Sequence, residues 1–289
     1  MIETTKLIHA GMVLEGGAMR GVFTAGVLDY LMKREIYCQY VVGVSAGSCN
    51  AVDYVARQIG RTKECFIPDE KANRTLSVLN LLKGKDLYDM HKAFVDIPAE
   101  LVPFDFQTFF ESAMECEIVT TNCLTGQAEY MKETRQRARL MDLCRASSSL
   151  PLVSPIVLLE GVPYLDGGLA DSVPILRSIS KGYEKNIVIL TRNRGYRKKN
   201  SARMIMLYQR IYKKYPELVE TLEKRATQYN TTMDLIEKME QEGDVFVIRP
   251  RIKCVSRMEQ NQLKLNQFYQ HGYHQMKKQY TRLEQYLKK

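Results

Sequence analysis

Along the first sixty residues the apolar positions switch between a strand period and a helix period. Residues 11–14 (Gly11-Met12-Val13-Leu14) are an apolar run that stops at Glu15-Gly16-Gly17. This is the pattern of a buried strand entering a Gly-rich turn. From 21 to 34 the apolar residues Val22, Ala25, Leu28 and Leu31 or Met32 fall on one helical face. Residues 40–44 are again a continuous apolar run, and a second helix is predicted over 46–57. A helix between two strands implies a parallel pair joined by a right-handed crossover. Both strands are apolar on both faces, as in a sheet covered on two sides.

Residues 61–115 carry less pattern: a charged stretch, a helix predicted at 76–82, and the aromatic cluster Phe104, Phe106, Phe109 and Phe110. A strand is predicted at 116–121, with 129–131 as its candidate partner, and others at 186–190 and 244–248. Helices are predicted at 135–145, 201–212, 217–240 and 258–288. No internal repeat or low-complexity linker breaks the series. The expectation is one α/β domain over 1–289, a three-layer α/β/α sandwich with a mostly parallel central sheet. Its core covers 8–191 plus 244–249, with added helical layers at 201–240 and 258–288.

Composition narrows the function classes. The 289 residues, 45% hydrophobic and 26% charged, suffice for a full globular core. Seven cysteines without a CxxC pair argue against a disulfide framework, and four histidines offer no zinc-binding spacing. No EF-hand loop appears, so no metal and no cofactor are expected. The opening lacks a secretory pattern and no long apolar stretch spans a membrane, so a cytoplasmic location is expected, with membrane contact at most peripheral. The net charge of +9 is uneven: residues 181–289 hold 24 Lys/Arg against 11 Asp/Glu. The loop Arg192, Arg194, Arg197, Lys198, Lys199 around Tyr196 is a candidate contact for an anionic membrane surface. Without a nucleic-acid module, no nucleic acid is expected as partner.

Three places carry chemistry. Gly43-Val44-Ser45-Ala46-Gly47 is a G-x-S-x-G pentapeptide between a predicted strand and a predicted helix, the context of a nucleophile elbow. Ser45 is either a nucleophile lifted to a helix N-terminus or a simple helix cap. Gly16-Gly17-Ala18-Met19-Arg20-Gly21 also joins a strand to a helix and turns backbone N–H groups toward one point. It fits G-x-G-x-x-G and a P-loop only poorly, and an oxyanion hole is the competing reading. Asp166-Gly167-Gly168 is either a catalytic carboxylate or a turn Asp. His271 and His274, the nominal bases of a Ser…Asp…His order, lie in a charged helical stretch rather than after a strand.

These three elements, in this order, resemble the patatin-like phospholipase family of the bacterial, cytoplasmic type. Its pattern is a G-G-G-x-R-G turn, then G-x-S-x-G, then a distant D-G-G/A. Ala146-Ser147 with Pro151 and Pro155, and Val173-Pro174, are similar as well, and the resemblance covers about residues 8–191. It implies a lipid acyl hydrolase with a Ser45–Asp166 dyad. Ser45 attacks the ester carbonyl, and Asp166 takes its proton and later activates water. N–H groups around Gly17, Ala18 and Met19 hold the oxyanion, and Arg20 braces the turn or meets a phosphate. A carboxylate of ordinary pKa near ~4 is a weak base at pH 7, so the scheme needs Asp166 desolvated and hydrogen-bonded directly to Ser45. Ala18 departs from the third glycine of the pattern, and Asp171 stands where relatives often carry Asn. The same dyad also suits a thioesterase, a short-chain carboxylesterase or an acyltransferase. A non-catalytic protein that binds phosphate or an anionic membrane is the reading from a different class. The four phenylalanines are candidates for an acyl pocket or for ordinary core.

Overall fold

A computed structural model of the chain describes residues 6–70, 73–76 and 88–288. The predicted opening is present: β1 (Ile8–Leu14), α1 (Gly21–Lys33), β2 (Cys38–Val44) and α2 (Ala46–Val55), with β1 and β2 parallel. There follow α3 (Arg61–Phe66), a π-type helix α4 (Lys92–Leu101) and α5 (Phe106–Glu111). Next come β3 (Glu115–Asn122), β4 (Ala128–Met131), α6 (Arg137–Ser147), β5 (Val157–Leu159), β6 (Val162–Asp166), α7 (Ile175–Ser180) and β7 (Asn186–Ile189). The chain closes with α8 (Ala202–Ile211), α9 (Pro216–Glu242), β8 (Val245–Ile248) and α10 (Gln262–Lys288). Most of the helix expected at 76–82 lies outside the described residues.

The eight-stranded sheet runs β5-β6-β3-β2-β1-β7-β8, with β4 also on β3. Strands β3, β2, β1, β7 and β8 form a parallel block. The edge beyond β3 is antiparallel, through β4, β6 and β5. The β5–β6 hairpin escaped the sequence reading because its strands are short and β6 contains Pro163, which weakens a strand pattern.

Alternation along the strands builds the two cores. Met12 and Leu14 of β1 face the α1/α10 side, whereas Val13 faces the α9 side; Ile187 and Ile189 of β7 divide from Val188 in the same way. This two-sided burial makes the three-layer α/β/α sandwich. The C-terminal segment joins both layers. β8 pairs with β7, and α10 lies along α1 at backbone contact distance. A Cβ on Gly26 would come within 2.1 Å of the Tyr269 carbonyl, and one on Gly272 within 2.1 Å of the Phe23 carbonyl.

Candidate active site

Ser45 occupies the turn between β2 and α2 with φ 56° and ψ −125°, a left-handed backbone that a non-glycine residue adopts only at a cost of about 1–3 kcal/mol. The turn is held on all sides. The Ser45 N–H donates to the Ser147 hydroxyl at 2.8 Å, and that hydroxyl donates to the Val119 carbonyl at 2.6 Å. The Ser48 hydroxyl and N–H both donate to the Ser45 carbonyl, at 2.6 and 2.8 Å. Gly43 and Gly47 make so sharp a turn possible: a Cβ on Gly43 would lie 2.4 Å from the Gly47 carbonyl, and one on Gly47 2.5 Å from the Leu14 carbonyl. Ser45 is thereby placed at the N-terminus of α2, where the helix dipole favours negative charge.

Asp166 ends β6, which pairs antiparallel with β3, so the sheet brings it next to the elbow. A Cβ on Gly167 would sit 2.1 Å from the Val119 carbonyl, so the Asp166-Gly167-Gly168 turn lies flat on β3. Asp166 is 2% exposed. Its Oδ1 accepts from Gly168 N–H at 2.8 Å. Oδ2 is buried without a partner of full hydrogen-bond geometry, although the Ser45 hydroxyl is close enough to steady the charged form. Burial raises the Asp166 pKa above the ordinary carboxylate value; Ser45, then the Arg225 charge, Gly168 and Lys198 hold the rise in check. The sheet thus brings the two residues side by side, but the direct hydrogen bond expected between Ser45 and Asp166 is not formed. His271 and His274 are elsewhere, on α10: His271 Nε2 accepts from Arg251 N–H at 3.0 Å, and neither ring lines the cavities at Ser45.

The Gly-rich turn passes over the same point. Gly16 packs against Val44 and Ser45, and Gly21 against Ala46. Ala18 takes φ 48°, left-handed backbone where the family pattern has glycine. The Met19 N–H points to the Arg257 carbonyl at 3.4 Å. Gly17 and Ala18 N–H donate to no acceptor among the described residues. Arg20 is 7% exposed, and its Nε is unpartnered. Burial, then the nearby Arg192 charge, pushes its pKa down to about 10.

Two cavities meet at Ser45. One, of about 130 Å³, is lined mainly by apolar groups including Met19, Phe66, Phe94, Met141 and Leu150. The other, of about 280 Å³, is polar and includes Glu15, Asp166, Lys198 and Arg225, with Met204, Ile205 and Tyr208 of α8 along one wall. Phe104, Phe106, Phe109 and Phe110 line neither cavity. They pack on one another and on the core, which corrects the acyl-pocket candidacy.

The basic loop divides. Arg192, Lys198 and Lys199 line the polar cavity. Arg197 is bound in ion pairs to Asp234 at 2.5 Å and Glu237 at 3.0 Å, and Arg194 is exposed. Lys198 Nζ donates to the Ser172 hydroxyl at 2.8 Å and lies 3.9 Å over the centre of the Tyr229 ring. Burial, then the Arg225 charge, holds its pKa well below the usual ammonium value.

Sequence reasoning missed Ser147 as a brace, Glu15, and Arg225. Glu15 is buried, accepting from Thr191 N–H at 2.6 Å and from the Tyr229 hydroxyl at 2.9 Å. Arg225 Nε donates to the Gly168 carbonyl at 2.8 Å and so supports the Asp166 turn. Only Glu15, adjoining the Gly-rich motif, carried a signal; Arg225 looks like any surface arginine on a long helix. Among the described residues no group of three or more His, Cys, Asp or Glu side chains is arranged to hold a metal ion. None of their helices is long and apolar enough to cross a membrane.

Two family models match the chain: patatin-like phospholipase over residues 12–178, and a domain of unknown function, DUF6363, over residues 215–288. Uncharacterized protein YjjU of Escherichia coli (strain K12) is 30% identical over 185 residues, which are 62% of this chain and 51% of that protein. "Probable lipid hydrolase 463L" of Invertebrate iridescent virus 6 is 26% identical over 191 residues, 61% of this chain and 65% of that protein. The match therefore spans between half and two thirds of these relatives' length. VipD from Legionella pneumophila superposes with a TM-score of 0.49 at 14% identity, over 93% of this chain and 66% of its own. With the patatin-like phospholipase match covering more than half of its residues, including the Gly-rich turn, the elbow and the Asp-Gly-Gly turn, the chain belongs to the patatin-like phospholipase family.

Proposed function

We propose that the protein is a serine lipid acyl hydrolase working through a Ser45–Asp166 dyad. The observation that carries this reading is the strained Ser45 at the N-terminus of α2, set against a buried carboxylate where an apolar and a polar cavity meet. The name of the viral relative, a lipid hydrolase, agrees with it.

Asp166 accepts the Ser45 proton as Oγ bonds to the ester carbonyl carbon. The carbonyl oxygen becomes an oxyanion facing the Gly17 and Ala18 N–H groups and the α2 dipole. Asp166 returns the proton to the departing alcohol, which leaves an acyl-Ser45 ester. Asp166 then deprotonates a water that attacks the ester, and Ser45 recovers its proton as the fatty acid departs. Met19 N–H, directed to Arg257, drops out of the oxyanion set.

The whole described chain acts as one unit in this reading, since the C-terminal segment supplies β8, α10 and the Arg225 support. Free cysteines suit a reducing, cytoplasmic setting. Peripheral membrane contact falls to α8, which exposes Met206, Leu207 and Ile211 among Arg203, Arg210, Lys213 and Lys214.

The test is hydrolysis of p-nitrophenyl esters across acyl lengths by wild type, Ser45→Ala and Asp166→Asn. Turnover by wild type and loss in both variants supports the reading. Inactivity of wild type at every length, or activity surviving Ser45→Ala, overturns it.

A further inference from the structure

We propose that the polar cavity beside Ser45 binds the phosphate of an acyl glycerophosphate, so that lipids with an anionic head group are preferred over zwitterionic ones; this rests on Ser45 being the nucleophile. Arg20, Arg192, Lys198, Lys199, Arg225 and Arg257 all line the cavity. Its acids are Glu15 and Asp166. Glu15 is engaged by Thr191 and Tyr229, and Asp166 is directed to Gly168 and Ser45.

Among the described residues none of these six cations forms a salt bridge, in contrast to four other arginines. Arg61 pairs with Asp53, Arg177 with Glu117, Arg197 with Asp234 and Glu237, and Arg249 with Glu240. Burial lowers Arg20 and Lys198 most; Arg192 and Arg257 add to it at Arg20, and Arg225 and Arg20 at Lys198, while Glu15, and at Lys198 also Asp166, oppose it. Gathering like charges in a part-buried cleft opposes folding, and a bound dianion offsets it. Arg20 supplies the clearest sign of a missing partner. It is 7% exposed, its Nε has no acceptor, and it lines the cavity. Guanidinium groups are the side chains best matched to phosphate oxygens.

The same cavity disfavours a choline or ethanolamine cation. Like charge repels such a cation, and the Tyr196 ring that lines the cavity is already covered by Arg192 at 4.1 Å. Ser45 lines both cavities, so a single lipid places its phosphate among the cations and one acyl chain on the apolar side, with the ester at Oγ.

Calorimetric titration of Ser45→Ala with dihexanoyl phosphatidic acid, dihexanoyl phosphatidylcholine and inorganic phosphate tests this without turnover. The expected result is that phosphatidic acid binds at least tenfold tighter than either competitor. Adding Arg192→Gln with Arg257→Gln, or Arg192→Gln alone should the pair not fold, shrinks that ratio severalfold. Equal binding of the two lipids overturns the proposal, as does an unchanged ratio in folded variants. Phosphate binding as tight as the lipid reduces the cavity to a plain anion site and also overturns it. Ester turnover by wild type is read separately: selective binding without turnover supports the head-group site and contradicts the hydrolase reading alone.

Discussion

The hydroxyl of Ser147 accepts the backbone N–H of Ser45 at 2.8 Å, so one small side chain from the end of α6 pins the elbow from below. The same hydroxyl donates to Val119 of β3, so it links the elbow to the strand on which the Asp166 turn packs. Ser147→Ala leaves a buried N–H and a buried carbonyl without partners, at a cost of about 1–3 kcal/mol. The variant is expected to melt several degrees lower and to lose more in kcat than in KM, because Ser45 is no longer fixed. Calorimetry with steady-state ester kinetics checks both, and an unchanged Tm contradicts the brace.

The pH dependence follows from Asp166. Burial raises its pKa, so the ionised base forms only above the ordinary carboxylate range, and kcat/KM is expected to rise through that higher value to a plateau. Between the unfolded carboxyl value of ~3.9 and the higher native value, the folded state binds the extra proton, so this group's contribution to stability falls as pH rises. Asp166→Asn should therefore abolish turnover while raising Tm at neutral pH. A lower Tm contradicts the buried, disfavoured charge. On the alkaline side Lys198, held below its usual value by burial, loses its charge early, and any preference for anionic substrates should decline there.

Ala18 holds a left-handed φ of 48° in the Gly-rich turn proposed to hold the oxyanion. Ala18→Gly relieves about 1 kcal/mol of backbone strain and gives back part of it through the freer unfolded chain. The expected outcome is stability equal to or slightly above wild type. A clear loss in thermal unfolding shows that the Ala18 methyl contributes packing that outweighs the strain.

Helix α8 buries none of its residues fully and turns Met206 and Ile211 to solvent beside basic residues. Met206→Asp is expected to weaken sedimentation with anionic vesicles, most strongly at low salt. Equal binding of both proteins removes α8 from the membrane contact.

The parts legible in sequence are those where one local rule decides. Gly43 and Gly47 announce the elbow because backbone atoms approach too closely for a side chain. Met12, Val13 and Leu14 announce a strand buried on both faces. Ser147 and Arg225 act through partners about a hundred and 57 residues away, so nothing local marks their roles, and Glu15, whose partner Thr191 lies 176 residues away, is marked only by adjoining the Gly-rich motif. The basic loop was legible as charge but not as direction: the chain turns Lys198 inward toward Tyr229 and ties Arg197 to α9. For the four phenylalanines the sequence left an acyl pocket or ordinary core open, and their packing on one another and on the core settles it as core.

Ser45 as the nucleophile is tested most directly by labelling with an alkyl fluorophosphonate and locating the adduct by peptide mass spectrometry. The account predicts one adduct on Ser45, absent from Ser45→Ala and formed much more slowly in Asp166→Asn. An adduct on another residue, or labelling of Ser45 at an undiminished rate without Asp166, contradicts the dyad.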